Sequence, residues 1–286
     1  MSVEIHIRCL DGQFRHAAIK NHRWRESGAA AHCNEEMSQL AVNKSTPSDK
    51  DLMALTLGKM QGFSTWSSTA MSLLLASSRL CWHRRGDSLS ALAKAPEILV
   101  IVTGHAIQFE TSPNGTRLHW ALRGPRQILG FSSMLSIKES RREYVANEDV
   151  VAIHMAGDSF FDLLDSDPRR WKDIGRMLMQ QEREQIDMVF GQIVGELSRR
   201  LASTIQQLAA LHGIRATKES AVHLRLTQKD LAGLLRVSRQ SVNKELISWE
   251  VAGVIKLKFN AIVILDEFAL KKIAHSYSPS DKEVAA

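Results

Sequence analysis

Leu226 to Ile255 reads Leu-Thr-Gln-Lys-Asp-Leu-Ala-Gly-Leu-Leu-Arg-Val-Ser-Arg-Gln-Ser-Val-Asn-Lys-Glu-Leu-Ile-Ser-Trp-Glu-Val-Ala-Gly-Val-Ile, a pattern that few local folds accommodate. Thr227 and Ser238 each precede a short apolar-periodic run, where a hydroxyl can accept from an orphan N–H of the first helical turn. Asp230, three residues after Thr227, completes a capping-box-like pair. Leu231, Leu234 and Leu235 form one stripe on a first short helix, and Val242, Leu246 and Trp249 form the buried face of a second. Arg236 and Val237 remain for the connection, with Val237 filling the angle. The spacing predicts a helix-turn-helix.

Burying that face leaves Arg239, Gln240, Ser241, Asn243 and Lys244 as the first exposed side chains of the second helix. Arg can bond O6 and N7 of guanine, Gln can bond N6 and N7 of adenine, and the helix N-terminus turns its positive end toward phosphate. Two β-rich runs, Gly253 to Lys258 and Phe259 to Leu265, meet around Asn260 and suggest a hairpin, the wing of a winged helix. The candidate DNA contacts are Thr227, Ser238, Arg239, Gln240, Ser241, Asn243 and Lys244. Two-helix corners also occur in proteins that never meet DNA, so the polar second-helix face and the wing carry this inference.

Charge is placed accordingly. Of a net charge of +6, half lies between Leu226 and Lys258, where six Lys/Arg face three acids. The 286 residues leave room for two cores, with 44% hydrophobic and 24% charged content in the ordinary globular range. No apolar run is long enough for a membrane span, and the first thirty residues are too polar for a secretory signal. The expected location is cytoplasmic, with no membrane partner. Cys9, Cys33 and Cys81 make neither a disulfide framework nor a zinc site by spacing. His16, His22 and His32 add no compact ligand pair apart from the adjacent His32-Cys33, which is poor geometry for chelation. No metal and no cofactor is expected.

Residues 1–55 read as a partly disordered N-terminal extension, with Asn43 to Asp51 as linker chemistry and Met37 and Met53 as alternative starts. Part of this extension is expected to be dispensable. From about Ser64 the chain reads as β-rich. Ile98 to Val102, a Thr103-Gly104 turn, Ala106 to Glu110, a Pro113-Asn114-Gly115 turn and Thr116 to Leu122 are followed by at least one strand within Tyr144 to Met155. Short strands at this spacing argue for a small barrel or jelly roll. His83, His105, His119 and His154 in this region read as satisfied core or surface histidines. Asp167-Pro168 is a helix start, and six steps from Ile186 to Leu208 average about 3.7 residues, a helical period. Gly191 and Gly195 favour two helices over one.

At Thr227 to Leu235, Val237 to Leu246 and Gly253 to Ile255 the chain resembles the Crp/Fnr superfamily of bacterial transcription regulators. The resemblance implies an α+β fold: an N-terminal β-roll of the double-stranded β-helix or jelly-roll type (56–166), a long dimerisation helix (167–194) and a C-terminal winged helix-turn-helix (195–286). It implies a homodimer on a palindromic double-stranded DNA operator, RNA polymerase as a further partner, and base reading by Arg239, Gln240 and Lys244. Gln240 stands where the family commonly has Glu, so the preferred operator is expected to differ at that base pair.

The β region is similar to the family's cyclic-nucleotide-binding domain, which implies Gly130, Arg141 and Arg142 as effector-binding residues. It departs where contacts matter. Phe131 replaces the Glu expected for the ribose, while Arg142 and Glu143 replace the hydroxyl and small residues beside the phosphate. The dimer-helix hydroxyl positions hold Gln185 and Ile186. Each charge-assisted bond removed is worth roughly 1.5–3 kcal/mol, which disfavours a cyclic nucleotide. Three cysteines also cannot ligate the four-cysteine cluster of the Fnr branch. A different small-molecule effector and an effector-independent DNA-binding protein with a vestigial β-roll both remain open. An enzyme is not expected, since no phosphate loop, nucleophile elbow or metal motif is present.

Overall fold

The computed structural model describes residues 4–8, 14–18, 48–90, 96–135, 142–215 and 221–275, in two compact units, Met1–Ser48 and Asp49–Ala286. Within the first unit, β1 (Glu4–Arg8) and β2 (Phe14–Ala18) pair as an antiparallel hairpin. The remaining residues expected to be an extension lie mostly outside the described ones.

The second unit opens with two helices where linker and then strand were expected. Asp49–Gly58 (α1) begins inside the stretch read as linker and buries Met53 and Leu57. Ser68–Ala76 (α2) follows, capped by Ser67, whose hydroxyl accepts from the N–H of Ala70 at 3.2 Å. Ala70, Met71 and the three leucines after Ser72 are good helix formers, and strand begins only at Ser78. The expectation of β structure from Ser64 is corrected accordingly.

Two antiparallel sheets form the roll. One runs in the order β3 (Ser78–His83), β9 (Val150–Ala156), β4 (Glu97–Thr103), β7 (Ile128–Leu129). The other runs β6 (Arg117–Arg123), β5 (Ala106–Thr111), β8 (Arg142–Ala146). The continuous apolar run in β4 is explained by burial on both faces. Leu99 and Ile101 pack between the sheets with Leu89, Leu129 and Tyr144, whereas Ile98 and Val100 pack outward on Phe63, Leu74, Phe160 and Ile174 of the helical layer. Gly104 (φ +79) turns the chain from one sheet to the other so tightly that a Cβ there would lie 2.4 Å from the Asp149 carbonyl.

After a short helix α3 (Phe131–Leu135) and α4 (Gly157–Asp165), Pro168–Ile193 forms the long helix α5. Asp167 caps it by accepting from the N–H of Arg169, with Pro168 in the first turn as its ring requires. α6 (Leu197–His212) follows a break in which Gly195 adopts φ +96. The Ile186 to Leu208 period therefore does not mark one face. Ile186 and Ile193 are exposed on α5, while Leu201, Ile205 and Leu208 lie in the core of the C-terminal domain. That domain adds β10 (Ile214–Arg215), β11 (Val222–Leu224), α7 (Gln228–Leu235), α8 (Arg239–Val251), β12 (Ile255–Lys258), β13 (Ala261–Ile264) and α9 (Glu267–Ala274), with sheet order β10-β11-β13-β12. Among the described residues no helix is long and apolar enough to cross a membrane.

Candidate nucleic-acid interface

Caps and core fix the helix-turn-helix. Thr227 accepts from the N–H of Asp230 at 3.1 Å, the first half of the predicted box, while the Asp230 carboxylate accepts from the Thr227 hydroxyl rather than from its backbone N–H. Ser238 accepts from the N–H of Ser241 at 3.0 Å and opens α8. Between them Arg236 takes the left-handed conformation (φ 56), and the N–H of Val237 returns to the Ala232 carbonyl at 3.0 Å. Leu231, Leu234, Leu235, Val242, Leu246 and Trp249 are buried in one core, against which Val237 packs half-buried.

The same burial sets what faces outward. Arg239, Gln240 and Lys244 are exposed, with Ser241 and Asn243 half-buried beside them. Positions 240 and 244 are one helical turn apart, so their side chains share a face with Arg239 at its N-terminal end. Thr227 lies at the start of α7, where its hydroxyl is engaged by Asp230. Next to α8, β12 and β13 pair through Lys258 and Ala261, leaving Phe259-Asn260 as the turn, with Asn260 at φ 52. The Glu250 carboxylate accepts from the N–H of Leu257 at 2.7 Å and the Trp249 carbonyl from that of Val254 at 2.9 Å, so α8 and the β12–β13 hairpin are fastened together.

The residue pattern did not mark the joints between this domain and the rest. Arg200 of α6 donates to the carbonyl of Gln192 at 2.6 Å and to that of Leu235 at 2.7 Å, tying the end of α5 to the end of α7. Both carbonyls are helix-terminal, hence short of intrahelical donors. On the sheet side, His119 of β6 lies over Gly233 of α7, with Nε2 4.0 Å from the Asp230 carboxylate. Burial holds the His119 pKa below the usual imidazole value, against the pull of Asp230.

Glu148 bridges His105 at 2.5 Å and Arg225 at 2.6 Å. Burial pushes its carboxyl up, but these two partners outweigh burial and leave it below the ordinary carboxylate value. His212 stacks edge-on against His105 at 5.2 Å, and burial, reinforced by His105, lowers its pKa to about 3. Both His212 ring nitrogens and Nε2 of His105 are buried without a hydrogen-bond partner among the described residues, whereas His83 and His154 bond each other, with Nε2 atoms 3.0 Å apart, and His154 bonds Glu97 at 2.8 Å. Among the described residues no group of three or more His, Cys, Asp or Glu is arranged to hold a metal ion.

Of the expected effector residues, Gly130 and Arg142 are described. Gly130 (φ +98) sits where a Cβ would lie 2.2 Å from the Glu97 carbonyl, a demand of the backbone itself. Arg141 lies outside the described residues. Arg142 pairs with Glu110 at 2.5 Å, and Glu143 with Arg117 at 2.7 Å, both across strands of the smaller sheet. Phe131 is buried against Phe160 and Phe161 rather than directed toward a ligand. Gln108 accepts from Arg123 and donates to Glu110, each at 2.8 Å. Beside Arg123, a cavity of about 10 Å³ lies among Gln127, Gln181, Gln185, Gln192 and Met188, space for a single water.

Residues 199–273 match the model of the Crp-like helix-turn-helix domain. Residues 199–273 thus carry a Crp-like helix-turn-helix, and the chain as a whole is similar to Crp/Fnr transcription regulators. A relative described as a CRP-like cAMP-activated global transcriptional regulator, from Mycobacterium tuberculosis (strain CDC 1551 / Oshkosh), is 23% identical over 197 residues, covering 66% of this chain and 85% of that protein. Among solved structures, a CRP-family transcriptional regulator from Thermus thermophilus superposes with TM-score 0.57 at 20% identity, covering 68% of this chain and 97% of its own. FixK2 from Bradyrhizobium japonicum gives TM-score 0.58 at 15% identity, covering 70% and 99%. The fold and the Crp-like helix-turn-helix expected from the residues are therefore present.

Proposed function

We propose that this chain is a Crp/Fnr-type transcription regulator that acts in the cytoplasm as a homodimer on a palindromic operator. The proposed division is an N-terminal extension 1–55, a sensor domain 56–166, a dimerisation helix 167–194 and a DNA-binding domain 195–286. Arg239, Gln240 and Lys244 read bases, while Thr227, Ser238, Ser241 and Asn243 position the helix on phosphates. The observation that carries this reading is the division of α8, with Val242, Leu246 and Trp249 buried and Arg239, Gln240 and Lys244 exposed. Dimerisation is supported by a row of exposed apolar side chains on α5: Met179 (61% exposed), Ile186 (49%), Phe190 (65%) and Ile193 (60%). Their spacings of seven, four and three follow the heptad pattern of a two-helix seam. Two recognition helices related by a two-fold axis then reach major grooves about one DNA turn, roughly 34 Å, apart. RNA polymerase is the proposed further partner.

The sensor does not take a cyclic nucleotide. Its polar groups bond one another, as in Arg123–Gln108 and Arg142–Glu110, and Phe131 supplies no ribose acceptor. These internal pairs and the single-water cavity favour, as a second reading, a regulator that binds DNA without an effector. Titration of operator and random duplexes tests base reading. Lys244→Ala or Arg239→Ala is expected to weaken specific binding by roughly 1–3 kcal/mol while the fold survives. Equal losses on both duplexes would refute it.

A further inference from the structure

The tip of the wing carries a side chain that the fold does not use. Phe259 is 93% exposed at the first position of the two-residue turn, followed by Asn260 in the left-handed region. Asn suits that position, and the residue before it is ordinarily small or polar in such hairpins. A phenyl ring there contributes almost nothing to the core.

Its surroundings point to a polyanion. Lys256 and Lys258 are both exposed on β12, two residues apart and hence on one side of the strand, while Ile255 and Leu257 turn toward the domain core. No acidic residue occurs between Val251 and Leu265. The knob is convex and flanked by cations, unlike the flat apolar patches that mark protein interfaces. The Glu250–Leu257 and Trp249–Val254 hydrogen bonds fasten the wing to the recognition helix, so that α8 entering a major groove carries the wing tip to the neighbouring backbone.

We infer that Phe259 is a DNA-contacting wedge: its ring lies in the minor groove flanking each half-site, against the sugar edges at a deformable base step, with Lys256 and Lys258 on the adjacent phosphates. This rests on the major-groove reading above. Apolar side chains are used elsewhere to prise open minor-groove steps, and pyrimidine–purine steps yield most easily. The wing would then select sequence through deformability at positions that α8 never touches.

The test uses the full-length protein and a set of duplexes sharing one selected operator but differing in the flanking step, titrated at several salt concentrations. Phe259→Ala is expected to lower affinity about tenfold on duplexes with TA or CA flanks and to level the difference between flanks. Its salt dependence should be unchanged, since no charge is removed, whereas Lys258→Ala should reduce the slope by about one for the phosphate that Lys258 neutralises. Phe259→Leu keeps an apolar wedge and should retain most of the preference. The thermal midpoint of Phe259→Ala should match that of the parent, which excludes misfolding as the cause. Unchanged DNA affinity in Phe259→Ala, or a loss equal on all flanks, overturns the inference. So does unchanged DNA affinity with lost transcription in a reconstituted polymerase assay, which would assign the ring to a protein partner. If Lys244→Ala abolishes discrimination while Phe259→Ala does nothing, the wedge fails and the major-groove reading stands. If neither variant alters binding, the major-groove reading fails with it.

Discussion

Substituting Gly233 tests whether the sensor sheet rests on the helix-turn-helix, because two effects of opposite sign meet at one atom. A methyl group there would lie 2.5 Å from Nδ1, 2.6 Å from Cγ and 2.8 Å from Cδ2 of His119, well inside contact distance. The ring has little room to retreat, since its other neighbour is Phe109 at 4.6 Å between centroids, itself covered by the Arg117 guanidinium at 3.6 Å. Overpacking of this kind costs roughly 1–3 kcal/mol, while Gly to Ala within a helix contributes about 1 kcal/mol in the other direction. Gly233→Ala in the intact chain is therefore expected to lose up to about 2 kcal/mol. With His119→Ala the space opens, and the same Gly233→Ala change should stabilise by about 1 kcal/mol. Urea denaturation of the four proteins at one protein concentration gives the cycle, with a coupling of roughly 1–3 kcal/mol favouring the double variant. Additivity within about 0.5 kcal/mol would refute the contact, and with it the docking of β6 on α7.

Two further outcomes follow from the same geometry. His212, with its pKa lowered to about 3 by burial, binds a proton more readily unfolded than folded, so its contribution to stability is complete above its unfolded value and is lost as pH falls from about 6.5 toward 3. His83, lowered to about 4, acts in the same direction, whereas Glu148, with its lowered carboxyl, adds a loss only at more acid pH, below its unfolded value. Denaturation followed from about pH 6 to 4 should show a slope reduced by up to about 1.4 kcal/mol per pH unit in His212→Leu; an unchanged slope would contradict the assignment. Replacing both Ile186 and Phe190 by Glu places charge in the exposed seam of α5 and should yield a folded monomer by sedimentation, with operator affinity falling accordingly. A dimer that persists would move the interface elsewhere.

Local chemistry was the legible part. Thr227, Ser238 and Asp167 cap where their residue types and spacing say they should, because an N-cap is a contract between a side chain and a backbone two or three residues away. The wing turn at Asn260 is legible for the same reason. Periodicity carried less, since Ile186 and Leu201 satisfy one helical repeat although the first is exposed and the second lies in a core. The repeat records apolar character and cannot say whether the covering surface belongs to this chain or to a second copy.

Long-range joints left no local signature. Arg200 looks like any surface arginine until two helix ends arrive beside it, and Gly233 like a weak helix position until His119 lies across it. The helix at Ser68–Ala76 was obscured because its serine-flanked apolar run suits strand as well as helix, and burial of Ala70 and Leu74 decides between them.

The central claim is that two copies of α8 read a two-fold symmetric site. Selection of bound duplexes from a random pool by the full-length protein addresses it most directly, with sequencing of the enriched pool. The account predicts a palindromic consensus whose half-sites are centred about one DNA turn apart, lost in Arg239→Ala and Lys244→Ala. An asymmetric single half-site, or a consensus that survives both substitutions, would contradict it.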